Sequence, residues 1–188
     1  MAGPMPVARY MSLCLSHPTY GYYITRDPFG AQGDFTTAPE VSQIFGELLG
    51  LWALSVWRMM DQPENVQLVE LGPGRGTMMR DALRAAKVLP AFRQALSVHM
   101  VEISPTLEQL QRSSLSDVGV PVSWHRSLLD VPTGAATIIL ANEYLDALPI
   151  HQMVRESDGW HERVIGLDSN GNFKLGVAPD AVPNFDRF

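Results

Sequence analysis

The glycine-rich stretch at residues 68–77, Leu-Val-Glu-Leu-Gly-Pro-Gly-Arg-Gly-Thr, constrains this chain more than any other feature. An apolar run and an acidic residue precede three glycines in five positions, and a helix is predicted to begin at about Thr77. Glycines at this spacing allow a tight turn in which a ligand contacts main-chain N–H groups, and the positive end of the helix faces the same point. The stretch predicts a strand–loop–helix unit that binds a ligand; the alternative is a tight turn without one.

The glycine spacing discriminates between cofactors. Gly72 and Gly74 fit the dinucleotide pattern G-x-G-x-x-G, but Thr77 stands at its third glycine and Gly76 comes one residue early. No lysine follows the last glycine, as a phosphate loop requires. Glu70 would repel a pyrophosphate but could pair with an ammonium group. S-adenosylmethionine (SAM) carries an ammonium and a sulfonium and has no phosphate, so the loop favours SAM over NAD.

A second apolar stretch also ends in an acidic residue. Residues 98–103 read as a buried parallel strand, and Glu102 lies 26 residues beyond Gly76. In nucleoside-binding α/β folds an acidic side chain about 20 residues further on meets ribose hydroxyls, and a carboxylate can accept both O–H groups of a vicinal diol. We predict that Glu102 binds a ribose, with Ile103 beside it in the same cofactor site. The alternative is a solvated strand end.

Four segments have sequences specific enough to suggest a family: Glu-Leu-Gly-Pro-Gly-Arg-Gly-Thr (70–77), the block at 33–50 that begins Gly-Asp-Phe-Thr-Thr-Ala-Pro-Glu, Val-Glu-Ile-Ser-Pro (101–105) and Asn-Glu-Tyr-Leu-Asp-Ala-Leu-Pro (142–149). Together they resemble the MidA-like family of class I SAM-dependent methyltransferases, related to the mitochondrial arginine methyltransferase that assists assembly of respiratory complex I. The resemblance runs along nearly all 188 residues. Because family members are much longer, we expect this chain to correspond to their N-terminal half.

The resemblance implies a protein arginine N-methyltransferase with SAM as its cofactor. Its substrate would be a protein, with a subunit of respiratory complex I as the candidate. The alternative, from a different functional class, is a non-catalytic assembly factor or chaperone that retains the cofactor pocket. A third reading, a dinucleotide-dependent oxidoreductase, is disfavoured by Glu70 and Thr77.

Composition disfavours several other functions. The formal net charge of −6 argues against a nucleic-acid partner, because phosphate binding needs a basic field. Cys14 is the only cysteine, so no internal disulfide can form, which fits a reducing compartment. No secretory signal is visible, and the most apolar stretch, residues 48–57, is shorter than the roughly 20 residues of a membrane span. We expect a bacterial cytoplasmic protein, with the mitochondrial matrix as the alternative.

Strands and helices alternate along the middle of the chain. Strands are predicted over about 66–71, 98–103, 121–125 and 136–141, and helices over about 6–16, 39–60, 77–88 and 105–115. This alternation is typical of a doubly wound α/β sheet. After Pro149, an antiparallel meander is predicted over about 150–156, 160–167 and 172–178. We therefore predict an N-terminal helical or lid segment (1–62), a Rossmann-like SAM-binding core (63–149) and a β meander with a tail (150–188).

Two elements carry specific packing predictions. The strand at 136–141 is apolar on both faces, as a central parallel strand would be. Trp52 and Trp57 are expected to be packing groups. The apolar residues of the helix at 39–60 follow the helical period: Val41, Ile44, Phe45, Leu48, Leu49, Trp52, Val56 and Met59.

Candidate catalytic groups follow the last predicted core strand. In open α/β sheets ligands bind beyond the carboxyl ends of the strands, which places Glu143 and Asp146 near a methyl acceptor. A carboxylate pair could orient a guanidinium group and localise its lone pair, so we predict both residues as catalytic. Asn142 is predicted to bind the cofactor. The alternative is a polar loop in which Asp146 caps the next turn.

The adenine end of the site lacks an expected acid. Class I methyltransferases often carry one after the third strand, but Arg126 stands near that place, so we predict main-chain contacts to adenine near Ser127 and Leu128. The loop at 27–39 is long enough to be functional, and Asp34 within it is predicted to contact the cofactor. The histidines show no zinc-binding spacing, so no metal site is predicted.

The predicted sheet is apparently incomplete. The resemblance implies seven strands, but the sequence indicates four core strands, which would leave the 136–141 strand with an unpaired apolar edge of a kind that invites aggregation. Three explanations stay open: the chain belongs to a longer protein, which we favour; the meander covers the edge; or a completing chain, including a second copy, pairs with it. We expect this chain alone to bind SAM weakly and to methylate little.

Overall fold

The computed structural model describes residues 3–25, 37–183 and 185. Contacts between residues divide the chain into two compact units: Arg26–Asp146, and the segments Met1–Thr25 and Ala147–Phe188 taken together. The three-part division at 62/63 and 149/150 stays a prediction. None of the helices in the described ranges has the length and apolar content needed to cross a bilayer.

The larger unit is built on a four-stranded parallel sheet, which confirms the predicted α/β fold class. Its strands are β2 (Val66–Leu71), β3 (Leu96–Val101), β4 (Val122–His125) and β5 (Ala136–Leu140), in the order β4-β3-β2-β5. All three pairings are parallel. Strands β2 and β3 are buried along nearly their whole length, and eight of their twelve residues are apolar. The carboxyl ends of these strands lie at one edge of the sheet.

Helices connect the strands of this sheet. Helix α5 (Thr77–Ala86) and the short α6 (Pro90–Ala95) lead from β2 to β3, and α7 (Pro105–Ser114) leads from β3 to β4. Helix α6 is not among the predicted elements, because its six residues are too few to display a helical period, although its Phe92 is fully buried. The buried face of α5 carries apolar residues at helical spacing, among them Met79, Ala82, Leu83 and Ala86.

The helix predicted over 39–60 is two helices. Helix α3 (Ala38–Val41) ends at Ser42, and α4 (Gln43–Met59) begins after it. Ser42 has an extended backbone (φ −147°, ψ 121°), and its side chain accepts a hydrogen bond from the Ile44 N–H, as an N-cap serine does. A serine that caps a new helix therefore interrupts the predicted one.

The predicted inward face of this helix is wrong. Most of the stripe is solvent-exposed: Val41 (70%), Ile44 (62%), Leu48 (60%), Trp52 (49%) and Met59 (84%). The buried face instead carries Gly46, Gly50, Ala53, Leu54 and Trp57. Trp57 is the packing group expected, with its ring 5.4 Å from that of Phe92 and its Nε1 donating to the Pro63 carbonyl at 2.9 Å.

Small residues decide the orientation of α4 because it packs closely against α5. A Cβ added at Gly50 would lie 2.4 Å from the Ala82 carbonyl oxygen, and one at Gly46 would lie 2.8 Å from that of Met78. These neighbours are main-chain atoms that cannot rotate away. Close backbone approach between the two helices therefore outweighs burial of the larger side chains, which hydrophobic periodicity alone does not reveal.

The smaller unit contains the predicted antiparallel meander. Strands β6 (Met153–Glu156), β7 (Gly159–Leu167) and β8 (Phe173–Ala181) follow one another, and both neighbours pair with β7 in antiparallel fashion. The two-residue strand β1 (Met5–Pro6) also pairs with β7 and precedes helix α1 (Val7–Ser16). The short helix α2 (Tyr22–Thr25) completes this unit's described N-terminal segment.

Strand β5 is an edge strand within the described part of the chain. It pairs with β2, and no other described strand pairs with it. Ile138 and Leu140 are buried, but Ile139 on the opposite face is 44% exposed. The prediction that this strand is buried on both faces is therefore wrong for the described residues, and the three explanations for its open edge remain.

The contact between α4 and α5 generates a stability prediction. Gly50→Ala should lower the free energy of unfolding by about 1–3 kcal/mol, because the added methyl group meets the main chain of Ala82. The same change in an exposed helix would stabilise by roughly 0.5–1 kcal/mol. Urea denaturation measures the difference. Ser55→Ala, at an exposed position of the same helix, is the control and should change stability by less than about 0.5 kcal/mol. Equal stability of Gly50→Ala and the parent protein would contradict this packing.

Candidate cofactor site

The glycine loop directly follows β2, as predicted. Gly72 (φ 62°), Gly74 (φ 54°) and Gly76 (φ 80°) all adopt the left-handed backbone conformation that favours glycine. Gly76 is the N-cap of α5, so the helix begins at Thr77. The Gly72 N–H donates to the carbonyl of Val101 at 3.1 Å. The loop is therefore attached to the end of β3, the strand that leads to Glu102.

Glu102 and the glycine loop meet through one side chain, that of Gln111 on α7. The Gln111 Nε2 donates to the Gly74 carbonyl at 2.7 Å and to Glu102 Oε2 at 3.1 Å. The other carboxylate oxygen, Oε1, accepts the Ser104 N–H at 2.7 Å. The structure therefore brings together the two elements that the sequence analysis assigns to one cofactor. The ligand-binding roles of Glu102 and of the glycines remain predictions.

The electrostatics of Glu102 reflect a balance between burial and hydrogen bonding. Burial raises the pKa of its carboxyl group, and hydrogen bonds from the Ser104 N–H and the Gln111 side chain work in the opposite direction. Its side chain is only 7% exposed in total. The pKa is raised overall because burial is the largest effect, and the donors around the carboxyl group limit this rise by favouring its ionised form.

Glu70 is buried in strand β2, two residues before the first glycine of the loop. It is 2% exposed, and burial, followed by the charge of Glu102, raises the pKa of Glu70 to about 8, while a hydrogen bond from the Met79 N–H opposes the rise. One carboxyl oxygen, Oε2, has no hydrogen-bond partner among the described residues. The carboxyl group therefore keeps its proton at neutral pH in this state. Its predicted pairing with an ammonium group stays a prediction.

Tyr144 is a residue of this region that the sequence analysis does not single out. A Cβ added at Gly72 would lie 2.4 Å from Tyr144 Cδ2, so the aromatic ring rests on the glycine loop. Burial and, secondly, the charge of Glu102 raise the pKa of the Tyr144 hydroxyl. The position of this segment beyond a strand end predicts a role for its carboxylates, and the same signal applies equally to its aromatic residue.

Glu40 is a second such residue. Its Oε1 accepts a hydrogen bond from Thr77 Oγ1 at 2.7 Å, and its Oε2 lies 3.9 Å from Arg75 Nη1. Helix α3 thereby contacts both the last residues of the glycine loop and the start of α5. Glu40 belongs to the 33–50 segment that carries the family resemblance, which is the signal that points to it. Thr77 uses its hydroxyl for this contact.

Arg126, which follows β4 near the position where an acid is expected, contacts neighbouring parts of the protein. It donates to the carbonyls of Ile103 at 2.7 Å and Glu102 at 3.3 Å, and its Nη2 lies 3.1 Å from Glu108 Oε2. The arginine therefore holds the main chain immediately after β3. Ile103 itself is 45% exposed, so its side chain is available to a ligand.

The predicted main-chain contacts to adenine fall on a capped turn. The Ser127 N–H donates to Asp130 Oδ2 at 3.0 Å, and the Ser127 carbonyl accepts the Asp130 N–H at 3.1 Å. Ser127 Oγ accepts the Leu129 N–H. Because the main-chain groups of Ser127 are already bonded, Leu128 N–H is the better candidate donor to an adenine. Both assignments remain predictions.

The predicted catalytic residues follow β5, at the carboxyl ends of the strands, where the glycine loop also lies. Glu143 and Asp146 are exposed, and Asn142 is partly exposed. Glu143 has a left-handed backbone (φ 49°), which is uncommon outside glycine and is found at functional sites. Asp34 lies outside the described residues. Within the described residues, no three His, Cys, Asp or Glu side chains are grouped closely enough to hold a metal ion.

The raised pKa of Glu70 generates a prediction about stability and pH. Folded Glu70 keeps its proton up to about pH 8, whereas the ordinary value is 4.5, so the folded state binds more protons between these limits. The free energy of unfolding should therefore fall as pH rises through this window, by at most about 1.4 kcal/mol per pH unit. Glu70→Gln should remove this dependence, which urea denaturation at pH 5, 6, 7 and 8 would measure.

Glu64→Gln, a change at an exposed position next to β2, is the matched control and should keep the pH dependence of the parent protein. A Glu70→Gln variant whose stability follows the same pH curve as the parent would show that the Glu70 carboxyl ionises normally.

Comparison with known proteins agrees with this geometry. A family model described as "Putative S-adenosyl-L-methionine-dependent methyltransferase" matches residues 48–187. The protein arginine methyltransferase NDUFAF7 of Danio rerio is 42% identical over 194 residues, covering 92% of this chain and 46% of that protein. The Drosophila melanogaster homolog is 45% identical, covering 89% of this chain and 43% of its own length, and the Homo sapiens protein is 40% identical, with 96% and 46% covered. The chain thus spans about half the length of these relatives.

A solved structure is also similar. A Burkholderia thailandensis protein, crystallised with S-adenosyl-homocysteine, aligns with a TM-score of 0.78 and 29% sequence identity, over 96% of this chain and 47% of its own. The family model matches most of the chain and includes the glycine loop, Glu102 and Gln111. The chain therefore belongs to the family of S-adenosyl-L-methionine-dependent methyltransferases.

Proposed function

We propose that this protein binds SAM against its glycine loop and transfers the methyl group to an arginine side chain of a protein substrate. The observation that carries the proposal is the Gln111 bridge, which joins the Gly74 carbonyl to the Glu102 carboxylate. It holds a main-chain loop and a ribose acceptor side by side. The arginine methyltransferase names of the relatives support the choice of acceptor.

The proposed cofactor contacts use main-chain groups and one carboxylate. The main chain of the glycine loop (72–77) and the N-terminus of α5 would face the amino-acid end of SAM, and Glu102 would accept the ribose hydroxyls. Pro73 has no N–H, and the N–H groups of Gly72 and Gly76 already donate to the carbonyls of Val101 and Pro73, so the remaining N–H groups of the loop are the proposed donors. Ile103 would cover one face of the adenine, and Leu128 N–H or Ser127 would meet its polar edge. Asn142 and Asp34 are further proposed contacts. Glu70, in the strand that precedes the loop, would pair with the ammonium group of SAM.

The proposed chemistry asks the protein mainly for positioning. Bound SAM would supply the methyl group: an acceptor nitrogen held in line would form a bond to the methyl carbon as the bond from that carbon to the cationic sulfur breaks, and S-adenosylhomocysteine would leave. A guanidinium group is cationic and a poor nucleophile in water. The carboxylates of Glu143 and Asp146 would fix its orientation, favour one nitrogen as the nucleophile, and take up the proton that this nitrogen loses. Both side chains are exposed, so a protein substrate can reach them.

The substrate and the compartment are finer proposals. The substrate is a protein, and a subunit of respiratory complex I is the candidate that the family resemblance suggests. The bacterial cytoplasm is the proposed location; the vertebrate and insect relatives are named as mitochondrial proteins, which supports the mitochondrial matrix as the alternative. The acidic net charge of −6 suits a cationic partner rather than a nucleic acid. A completing chain or a second copy at the open edge of β5 also remains a proposal.

Cofactor binding tests the first part of this function. Glu102→Ala should weaken binding of S-adenosylhomocysteine at least about tenfold, because it removes charge-assisted hydrogen bonds worth roughly 1.5–3 kcal/mol. Calorimetry at pH 7.5 measures the dissociation constant. Glu64→Ala, at an exposed position of the same unit, should bind as the parent protein does. No binding by the parent, or equal binding by Glu102→Ala, would contradict the proposed site.

Methyl transfer tests the second part. A double variant, Glu143→Gln with Asp146→Asn, should lose at least about 90% of the methyl label transferred from SAM into lysate proteins, since general acid–base and orienting groups are worth roughly 10²–10⁴ in rate. Its affinity for S-adenosylhomocysteine should stay unchanged. Asp117→Asn, an exposed acid on the same unit, is the control.

Two outcomes would redirect this assignment. Undiminished labelling by the double variant would exclude Glu143 and Asp146 as catalytic groups. Because this chain alone is expected to methylate little, a parent protein that binds the cofactor and a partner protein but transfers no label would favour the non-catalytic assembly factor only if the full-length relative of Danio rerio labels the same lysate.

A further inference from the structure

Gln111 is a fully buried polar residue whose amide group is completely engaged. Its exposure is 0%, and the three hydrogen bonds of its side chain reach three different parts of the larger unit. Nε2 donates to the Gly74 carbonyl and to Glu102 Oε2, while Oε1 accepts from Trp124 Nε1 at 3.0 Å. An amide buried without partners costs roughly 1–3 kcal/mol, and these bonds offset that cost.

Trp124 determines which way the amide points. An indole N–H can only donate, so the atom of Gln111 that faces it must be the oxygen. The amide nitrogen, with its two donors, is then left to face Glu102 and Gly74. Arg112 lies over the Trp124 ring at 4.1 Å and holds the indole in place. The orientation of the Gln111 side chain therefore follows from the chemistry of its neighbours.

The amide in turn fixes the Glu102 carboxylate. One carboxylate oxygen holds the Gln111 donor and the other holds the Ser104 N–H. A carboxylate has about four lone-pair sites, so each oxygen retains capacity for a further donor. Two oxygens held in this way can accept the two hydroxyls of a vicinal diol without first reorienting. The Gly74 bond sets the distance between that carboxylate and the glycine loop.

We propose that Gln111 is a positioning residue for nucleoside recognition, which holds the Glu102 carboxylate and the Gly74 main chain in the geometry that binds the ribose of the cofactor. This inference rests on the proposed function, because it concerns the same site. Gln111 itself touches the groups that bind the cofactor and is not a catalytic residue.

Two variants separate its hydrogen bonds from its packing. Gln111→Met keeps a similar volume and removes every hydrogen bond of the amide. Gln111→Glu keeps an acceptor for Trp124 but places a second carboxyl group against Glu102 and the Gly74 carbonyl. Trp124→Phe leaves the donors of Gln111 in place but frees its orientation. Leu110→Met, at a 40% exposed position of the same helix, is the control.

The first readout needs no cofactor. Titration of the carboxyl carbons of the glutamates by NMR gives the ionisation midpoint of Glu102, which should move to higher pH in Gln111→Met because a donor to the ionised form is lost. The second readout is the dissociation constant of S-adenosylhomocysteine across pH 6–9. We expect a loss of about tenfold at pH 7 in Gln111→Met, shrinking as pH rises, and a smaller loss in Trp124→Phe. Leu110→Met should match the parent in both.

The outcomes distinguish this inference from the proposed function. A parent protein that does not bind S-adenosylhomocysteine overturns the function. A parent that binds it, with Gln111→Met equal in affinity and in the Glu102 midpoint, overturns the role of Gln111 while the function stands. A purely structural role would lower thermal stability and leave the midpoint and the pH dependence of binding unchanged. If Gln111→Met does not fold, the same comparison of Gln111→Glu and Trp124→Phe with the parent decides.

Discussion

The parallel pairing of β2 with β3 is the interaction on which the candidate site depends. The two strands are in register along their full length, with Leu71 opposite Val101. Parallel strands finish at the same edge of a sheet, so the glycine loop and Glu102 emerge side by side although they are distant in sequence. The Gly72 N–H continues the ladder by donating to Val101. Every later contact of the site, including those of Gln111 and Arg126, refines a proximity that this pairing has already created.

Burial explains why the site contains so many compensating contacts. Glu70, Glu102 and Gln111 are each less than 10% exposed, and each answers the cost of desolvation in a different way. The Glu70 carboxyl group stays protonated. The Glu102 carboxylate accepts hydrogen bonds from the segment that follows it and from Gln111 on α7, and the Gln111 amide makes three hydrogen bonds. Low dielectric strengthens these bonds and makes their loss expensive. The site is thus shaped before a ligand arrives.

The sequence predicted those parts of the fold that rest on local signals. Strand β2 and the start of α5 were placed correctly, because apolar runs and glycine spacing are written in consecutive residues. The face of α4 that packs inward is predicted wrongly, since the close approach at Gly50 depends on a helix more than 25 residues away. The contacts of Gln111, Tyr144 and Glu40 with the glycine loop and the start of α5 cannot be predicted from local sequence for a related reason. The bonds of Gln111 to Gly74 and of Glu40 to Thr77 each span 37 positions, and no spacing rule reaches that far.

The close contact of α4 with α5 has a dynamic consequence. Two helices separated by little more than their main chains have no slack in which to slide, and α5 carries the loop at its own first turn. The start of α5, and with it the end of the glycine loop, is therefore held in place by this packing. Tyr144, on the irregular segment after β5, packs against the buried side chains of Val69, Leu71, Val101 and Val131, and its ring covers Gly72. A group that approaches Gly72 from the side of this ring has to displace the ring, whereas the backbone beneath it is held by the helix pair.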